Sequence, residues 1–228
     1  MAANAPNRLV VFDCDGTLVD SQHNIVAAMS HAFGVHGIPV PGPDAVRRVV
    51  GLHLAEAVST LVPAGTSSEI RESVVAAYVE AFRVLREQPD HQEPLFPGVN
   101  DLLVALADTN TILAVATGKS RRGLTRTLER HGLTNHFFIL KTADDGPGKP
   151  DPAILLDAMA EAGAAPETTV MIGDTIFDIA MARSANAHAV GVAWGYHDPA
   201  ELEAAGACAI LSHFDQLPTV LDKLWSAG

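Results

Sequence analysis

Residues 8–20 read Arg-Leu-Val-Val-Phe-Asp13-Cys14-Asp15-Gly16-Thr17-Leu18-Val19-Asp20, an apolar run breaking into two carboxylates one residue apart and then Gly-Thr. Two close acids raise each other's pKa unless a cation or a proton lies between them. That pair suits an aspartyl nucleophile beside a proton-transferring partner, with a divalent metal between. The competing explanation is a turn, since Asp and Gly are common turn formers.

Three further stretches carry matching chemistry. Thr117-Gly118-Lys119 offers a hydroxyl and a glycine N–H, with Ser120 placed to cap a helix, and together these make an anion site. Lys149 is one of only four lysines, with Lys119, Lys141 and Lys223. It precedes Pro150-Asp151-Pro152, where Asp151 and Pro152 fit the cap and first position of a helix. Gly173-Asp174-Thr175-Ile176-Phe177-Asp178 sets two acids four apart at a helix start. Asp174 suits metal ligation, and Asp178 suits support of that ligand or ligation through water. Complementing the helix dipole accounts for one such acid better than two.

The elements that must position these groups follow from the apolar patterning. Leu9–Phe12 has the length and β-branched content of a buried parallel strand. Asp13 then falls at the strand's carboxyl end, the ligand position of open α/β sheets. Continued extension would put Asp13 and Asp15 on one side. Residues 21–92 read as helical: Ser21 caps a helix to about His36, Pro43 opens one to about Val50, another covers Leu54–Val62, and Ser68 caps the longest. Beyond Leu95, strands Ile112–Ala116, Phe137–Leu140, Val170–Ile172, Ala189–Val192 and Ala209–Leu211 alternate with helices Val99–Ala107, Arg121–His131, Pro152–Ala162 and Ile179–Ala185. Such alternation implies a parallel sheet covered on both faces. The expected fold is α/β, a Rossmann-like core of residues 1–19 and 96–228 interrupted by a helical cap at 20–95, with linkers near Leu18–Ser21 and Glu93–Gly98.

Composition removes several classes of function. The chain has 228 residues, 48% hydrophobic, with 27 acidic against 15 basic residues and a net charge of −12. It has no basic stripe for nucleic acid, no apolar stretch long enough for a bilayer and no leader-like N-terminus. Two cysteines, Cys14 and Cys208, make neither a disulfide framework nor a zinc cluster. The ten histidines lack metal-binding spacing. A cytoplasmic protein, monomer or homodimer, that binds neither nucleic acid nor membrane is expected.

Asp-x-Asp-Gly-Thr at 13–17, Thr117-Gly118, Lys149-Pro150 and Gly-Asp-x-x-x-Asp at 173–178 resemble the haloacid dehalogenase superfamily, specifically its phosphoglycolate-phosphatase-like branch with an inserted helical cap. The resemblance covers nearly the whole chain. It implies that Asp13 is a nucleophile forming an aspartyl-phosphate, and that Asp15 protonates the leaving oxygen and then activates water. It further implies Mg²⁺ held by Asp13, the Asp15 carbonyl and Asp174 with Asp178 in support, and a phosphoryl group of a small phosphorylated metabolite bound by Thr117, Lys149 and the Gly118 N–H. The same resemblance leaves open a β-phosphoglucomutase-like transferase or a pyrophosphatase. A silent phosphate-binding scaffold is the non-enzymatic alternative, and the full acid set opposes it. A dehalogenase would not need Asp15, and a phosphonoacetaldehyde hydrolase would need a cap lysine that residues 18–95 lack. A second substrate anion would need an arginine, a histidine or backbone N–H groups, and Arg47 and Arg48, before the Val49-Val50-Gly51-Leu52-His53 turn, are the candidates. Adjacent helical residues point about 100° apart, so at most one of them should face the site. Asn186 stands where such relatives tend to carry Gly and fits a left-handed helix terminus, and Trp194 reads as packing before substrate wall.

Overall fold

The computed structural model describes residues 6–89, 91–107 and 109–226; the outermost N-terminal residues, and so the outer bounds of the expected core, lie outside them. Six strands form one parallel sheet: β1 (Asn7–Phe12), β2 (Thr111–Ala116), β3 (Ile139–Lys141), β4 (Ala164–Gly173), β5 (His188–Val192) and β6 (Ala209–Leu211). Their order is β3-β2-β1-β4-β5-β6. β1 is therefore central, and the chain's direction of travel across the sheet reverses between β1 and β4, the crevice where doubly wound sheets place their ligands.

The strand alternation explains why both faces are buried. Val10 and Phe12 enter one apolar cluster and Leu9 and Val11 the other, as a side-chain period of two requires. Helices α5 (Val99–Ala107), α6 (Arg121–Arg130) and α10 (Leu217–Ser226) pack on the first face. Helices α7 (Ala153–Ala162), α8 (Ile176–Ser184) and α9 (Pro199–Ala204) cover the second. Helices α1 (Gln22–Val35), α2 (Pro43–Arg47), α3 (Leu54–Leu61) and α4 (Ser68–Arg86) share a third cluster that includes Met29, Phe33, Val58, Val74 and Phe82. The two chain crossings to this block run side by side. The Asp20 N–H donates to the Pro94 carbonyl at 2.8 Å and the Phe96 N–H to the Leu18 carbonyl at 3.0 Å. Among the described residues no helix is long and apolar enough to cross a membrane.

Several boundaries differ from expectation, each for a local reason. The third strand begins at Ile139, after a short 3-10 turn over Thr134–His136 and a bend at the exposed Phe138. α2 ends at Arg47 and the chain turns through Gly51, whose φ is +97°. Ser67, not Ser68, caps α4. Pro152 is the N-cap of α7, although Asp151 Oδ1 still accepts the Ala153 N–H at 2.9 Å. α8 starts at Ile176 because Thr175 and Asp178 form a reciprocal capping box. α9 and α10 were not read from the sequence at all. Asn186 does take the left-handed conformation, with φ 56°. Trp194 packs 4.6 Å from the Phe214 ring.

The third cluster is separate from the two that sandwich the sheet, so local opening should respect that division. Phe33 and Phe12 are each fully buried, and truncating either to Ala should cost about 3–5 kcal/mol. In Phe33→Ala, hydrogen exchange should accelerate in α1, α3 and α4 while β1 and β2 stay protected; Phe12→Ala should expose the sheet as well.

Candidate active site

The register of the sheet brings the chemical groups together. Phe12 lies opposite Val115 of β2 and Ile172 of β4. Asp13 therefore follows the end of β1, flanked by Thr117 just past β2 and Asp174 just past β4. The Asp13 N–H still donates to the Ile172 carbonyl at 2.9 Å, which fixes the Asp13 backbone. The chain then turns. Gly16 has φ +89°, and a Cβ there would meet Asp174 Oδ2 at 2.3 Å. Only glycine allows this turn to lie on the Asp174 carboxylate.

Asp13, Asp174 and Asp178 are all buried, and one carboxylate oxygen from each lies within 4.8 Å of the others. Lys149, 0% exposed, stands among them. Its Nζ is 2.8 Å from Asp13 Oδ1 and 2.6 Å from Asp178 Oδ1. Burial favours a neutral amine, but Asp13 and Asp178 outweigh it and raise the Lys149 pKa. Burial pushes the Asp13 carboxyl up to about 6; Lys149 pulls against this while Asp178 and Asp15 add to it. Burial, with Asp13 and Asp178, raises Asp174 as well. Asp174 is held by the Thr17 hydroxyl at 2.8 Å and the Tyr196 N–H at 2.9 Å. Asp178 uses Oδ2 to accept from the Thr175 N–H and hydroxyl at 3.0 and 2.7 Å. Its cap role and its role toward Lys149 thus use different oxygens.

These groups fit a hard divalent cation. The donors are all oxygen, the kind that Mg²⁺ or Ca²⁺ takes. Among the described residues, Asp13 Oδ1 and Asp178 Oδ1 are buried without a hydrogen bond of acceptable geometry, and the cation close to both is Lys149. Three raised or crowded carboxylates against one ammonium leave an excess of negative charge there.

Asp15 does not share this arrangement. Because the chain turns instead of continuing extended, its carboxylate takes a different set of partners from the other three. It accepts from Lys119 Nζ at 2.7 Å and from the Ser21 hydroxyl at 2.5 Å. Burial opposes the charge, yet Lys119 and Ser21 overcome it and the Asp15 pKa is lowered. Ser21 stands at the start of α1 but makes no cap hydrogen bond; its hydroxyl serves Asp15 instead. Lys119 and Ser21 were not expected here. Lys119 was visible in the Thr-Gly-Lys run, whereas its partner lies 104 residues away in sequence.

Thr117 is buried at the end of β2, and Gly118 lies against the helical block. A Cβ on Gly118 would meet the Leu52 and Gly51 carbonyls at 2.9 and 3.0 Å. The Gly51–His53 turn thus seats on the sheet's carboxyl edge, and together they enclose a cavity of about 330 Å³ lined by Asp13, Asp15, Thr117, Gly118 and Lys119. Arg47 and Arg48 are not among its lining residues, which corrects their expected role. Arg47 is used by Gln22 and Asp44 at 2.9 and 2.6 Å. Arg48 reaches outward to Glu201 at the start of α9, at 2.9 Å. The arginines that do line the cavity come from α4 and α6: Arg83, Arg86, Arg122 and Arg126.

Residues 10–192 match the sequence model of the haloacid dehalogenase-like hydrolases. The chain belongs to that family. Among these hydrolases it is 37% identical to the "Probable phosphatase IndB" of Dickeya dadantii, over 92% of this chain and 91% of that one. It is 30% identical to the phosphoglycolate phosphatase of Agrobacterium fabrum, over 100% and 98% of the two chains. The crystal structure of a hydrolase from Pseudomonas syringae superposes with a TM-score of 0.81 at 30% identity, covering 95% of this chain and 98% of that one.

A raised carboxylate pKa means stability that is full below the unfolded value near 3.8 and is lost as pH climbs through about 6. Metal-free Asp13→Asn should accordingly melt higher than metal-free wild type at pH 7.5. The difference should narrow toward pH 4, and calorimetry at the two pH values checks it.

Proposed function

We propose that this haloacid dehalogenase-like hydrolase is a Mg²⁺-dependent phosphatase that cleaves a small phosphomonoester through an aspartyl-phosphate. The observation that carries the reading is the Asp13 carboxylate, backbone-pinned at the central strand's end with Lys149 at 2.8 Å and two further acids beside it. Phosphoryl transfer is mostly positioning and charge neutralisation, and the site is built for both. The relatives named as phosphatases support the reaction class.

In this reading Asp13 attacks phosphorus through a carboxylate oxygen, and the ester oxygen departs with a proton from Asp15. Water then loses a proton to Asp15 and attacks the acyl-phosphate, which frees inorganic phosphate and restores Asp13. Lys149, the Thr117 hydroxyl and the Gly118 N–H bind the transferring phosphoryl oxygens. Asp13, the Asp15 carbonyl and Asp174 would hold Mg²⁺, with Asp178 supporting Lys149 and the cation. When bound, the cation neutralises charge on the phosphoryl group and on Asp13. Against burial, the Lys119 ammonium and Ser21 hydroxyl lower the Asp15 pKa and so favour its carboxylate, the form that takes a proton from water. Its acid form requires Lys119 to relax its contact, and Glu93 Oε1, 3.9 Å from Nζ, stands ready for the ammonium. Residues 20–95 act as the cap, and residues 1–19 with 96–228 as the core. The paired crossings at Leu18–Asp20 and Pro94–Phe96 are the hinge that admits substrate and then excludes water.

Asp13→Asn should retain its fold and release no phosphate above background, since the amide is neither nucleophilic nor anionic. Phosphate release near the wild-type rate would sink the aspartyl-phosphate. Asp15→Asn should lose far more activity on an alkyl phosphate than on an activated nitrophenyl phosphate, because only the poor leaving group needs the proton.

Mg²⁺ should raise the melting temperature more at pH 7.5 than at pH 5, because carboxylate ligands must be deprotonated to bind it. Chelator should abolish turnover and Ca²⁺ should not restore it, given the looser coordination Ca²⁺ adopts. Equal melting shifts at the two pH values would place the cation elsewhere.

A further inference from the structure

The cavity that opens from Asp13 changes character as it leaves the sheet. Its floor is polar: Asp13, Asp15, Thr117, Gly118 and Lys119. Its far wall, supplied by α1–α4 and the turn after α2, is mostly apolar, with Met29, Val46, Val50, Leu54, Val75 and Phe82 lining the space and His53 and Tyr78 adding polar groups. The cations of α4 on that wall, and Lys119 on the floor, are already engaged. Arg83 forms ion pairs with Glu80 and Glu87, both at 2.6 Å. Arg86 lies over the Phe82 ring at 4.4 Å and 3.8 Å from Glu93. Lys119 is bound to Asp15. Arg122 and Arg126 are exposed on α6. A substrate carboxylate pushed into the chamber would lose water and meet hydrocarbon, which is costly without a partner.

Size points the same way. The whole space is about 330 Å³, roughly twice the ~150 Å³ apolar cavity that holds a benzene molecule. A phosphoryl group over Asp13 leaves room for an alcohol considerably larger than glycolate. Apolar walls of this kind gain by excluding water with a matching body.

We propose that the alcohol portion of the substrate is an uncharged, largely apolar body, aryl or branched alkyl, seated in the chamber formed by α1, α3 and α4, and not a short carboxylate. This rests on the phosphomonoesterase reading above and names its substrate class. The floor then fixes the phosphoryl end, and the wall selects by burial of hydrocarbon.

The test measures kcat/KM for Mg²⁺-loaded enzyme on n-propyl, n-butyl, n-pentyl, n-hexyl and benzyl phosphates, with phosphoglycolate alongside. The straight-chain alcohols are similar leaving groups, so chain length reports the chamber. The expected result is a rise of about fourfold per methylene, the factor for burying one CH₂, with phosphoglycolate at least tenfold below n-butyl phosphate. Val75→Arg, which gives the half-buried wall a cation, should shift the phosphoglycolate-to-hexyl ratio toward phosphoglycolate by tenfold or more. Should that variant fail to fold, Val75→Ala serves: it should lower the hexyl value several-fold and leave n-propyl phosphate nearly unaffected. A flat alkyl series, or phosphoglycolate preferred tenfold over n-butyl phosphate, overturns the proposal. Loss of such a preference in Arg122→Ala or Arg126→Ala would assign a second anion to α6. Phosphate release from none of the esters would instead sink the phosphomonoesterase reading itself.

Discussion

A single ammonium, that of Lys149, lies between two carboxylates with no water-exposed surface of its own. Bringing Asp13, Asp174 and Asp178 together out of water is unfavourable by desolvation and by mutual repulsion. Lys149 offsets part of that cost, and the Thr17 hydroxyl with the Tyr196 and Thr175 N–H groups offsets more. The remainder is stored as the raised carboxyl pKa of Asp13 and Asp174. The surrounding packing must hold against this repulsion. It can do so because Asp13 and Asp174 sit just past the ends of β1 and β4 in the middle of the sheet, where both faces are covered, and Asp178 is held in the first turn of α8.

One residue separates Asp13 from Asp15, yet the two acids belong to different electrostatic environments. Asp13 faces Lys149 with its affinity for a proton raised; Asp15 faces Lys119 with its affinity lowered. The turn at Gly16 produces the separation. Had the strand continued, the two carboxylates would have faced one cation and titrated as one unit. Distinct partners let neighbouring residues hold distinct roles.

The sheet and the four chemical stretches were legible because each strand is a short apolar run, Asp13, Thr117 and Asp174 follow such runs directly, and Lys149 and Asp178 stand near helix starts. Asp13, Thr117 and Asp174 needed only a strand end to be placed, whereas Lys149 and Asp178 needed the helix start that follows as well. The Thr175-to-Asp178 capping pattern was also readable and would have moved the start of α8. Arg47 and Arg48 show where sequence reasoning stops. Proximity to a glycine turn identified the right turn, since Gly51 does meet the core, but a helical side chain's direction depends on which face its helix buries. Asp44, Gln22 and Glu201 supplied nearer partners. The Lys119–Asp15 pair was hidden for the opposite reason, its members being adjacent only after β1 and β2 have paired.

The two crossings into the helical block lie one hydrogen bond apart, Asp20 to Pro94 and Leu18 to Phe96. To the sheet, everything from residue 21 to residue 93 is thus a single loop whose ends are already closed. Closure entropy depends weakly on loop length, so the sheet is nearly indifferent to how large that loop is or what it contains. An insert whose own ends meet at this spacing, and which keeps the Ser21 hydroxyl on Asp15 and Glu93 beside Lys119, could replace the rest of the present one without disturbing the strand ends. The chemistry and the choice of substrate can therefore diverge independently, one written into the sheet and the other into an exchangeable segment.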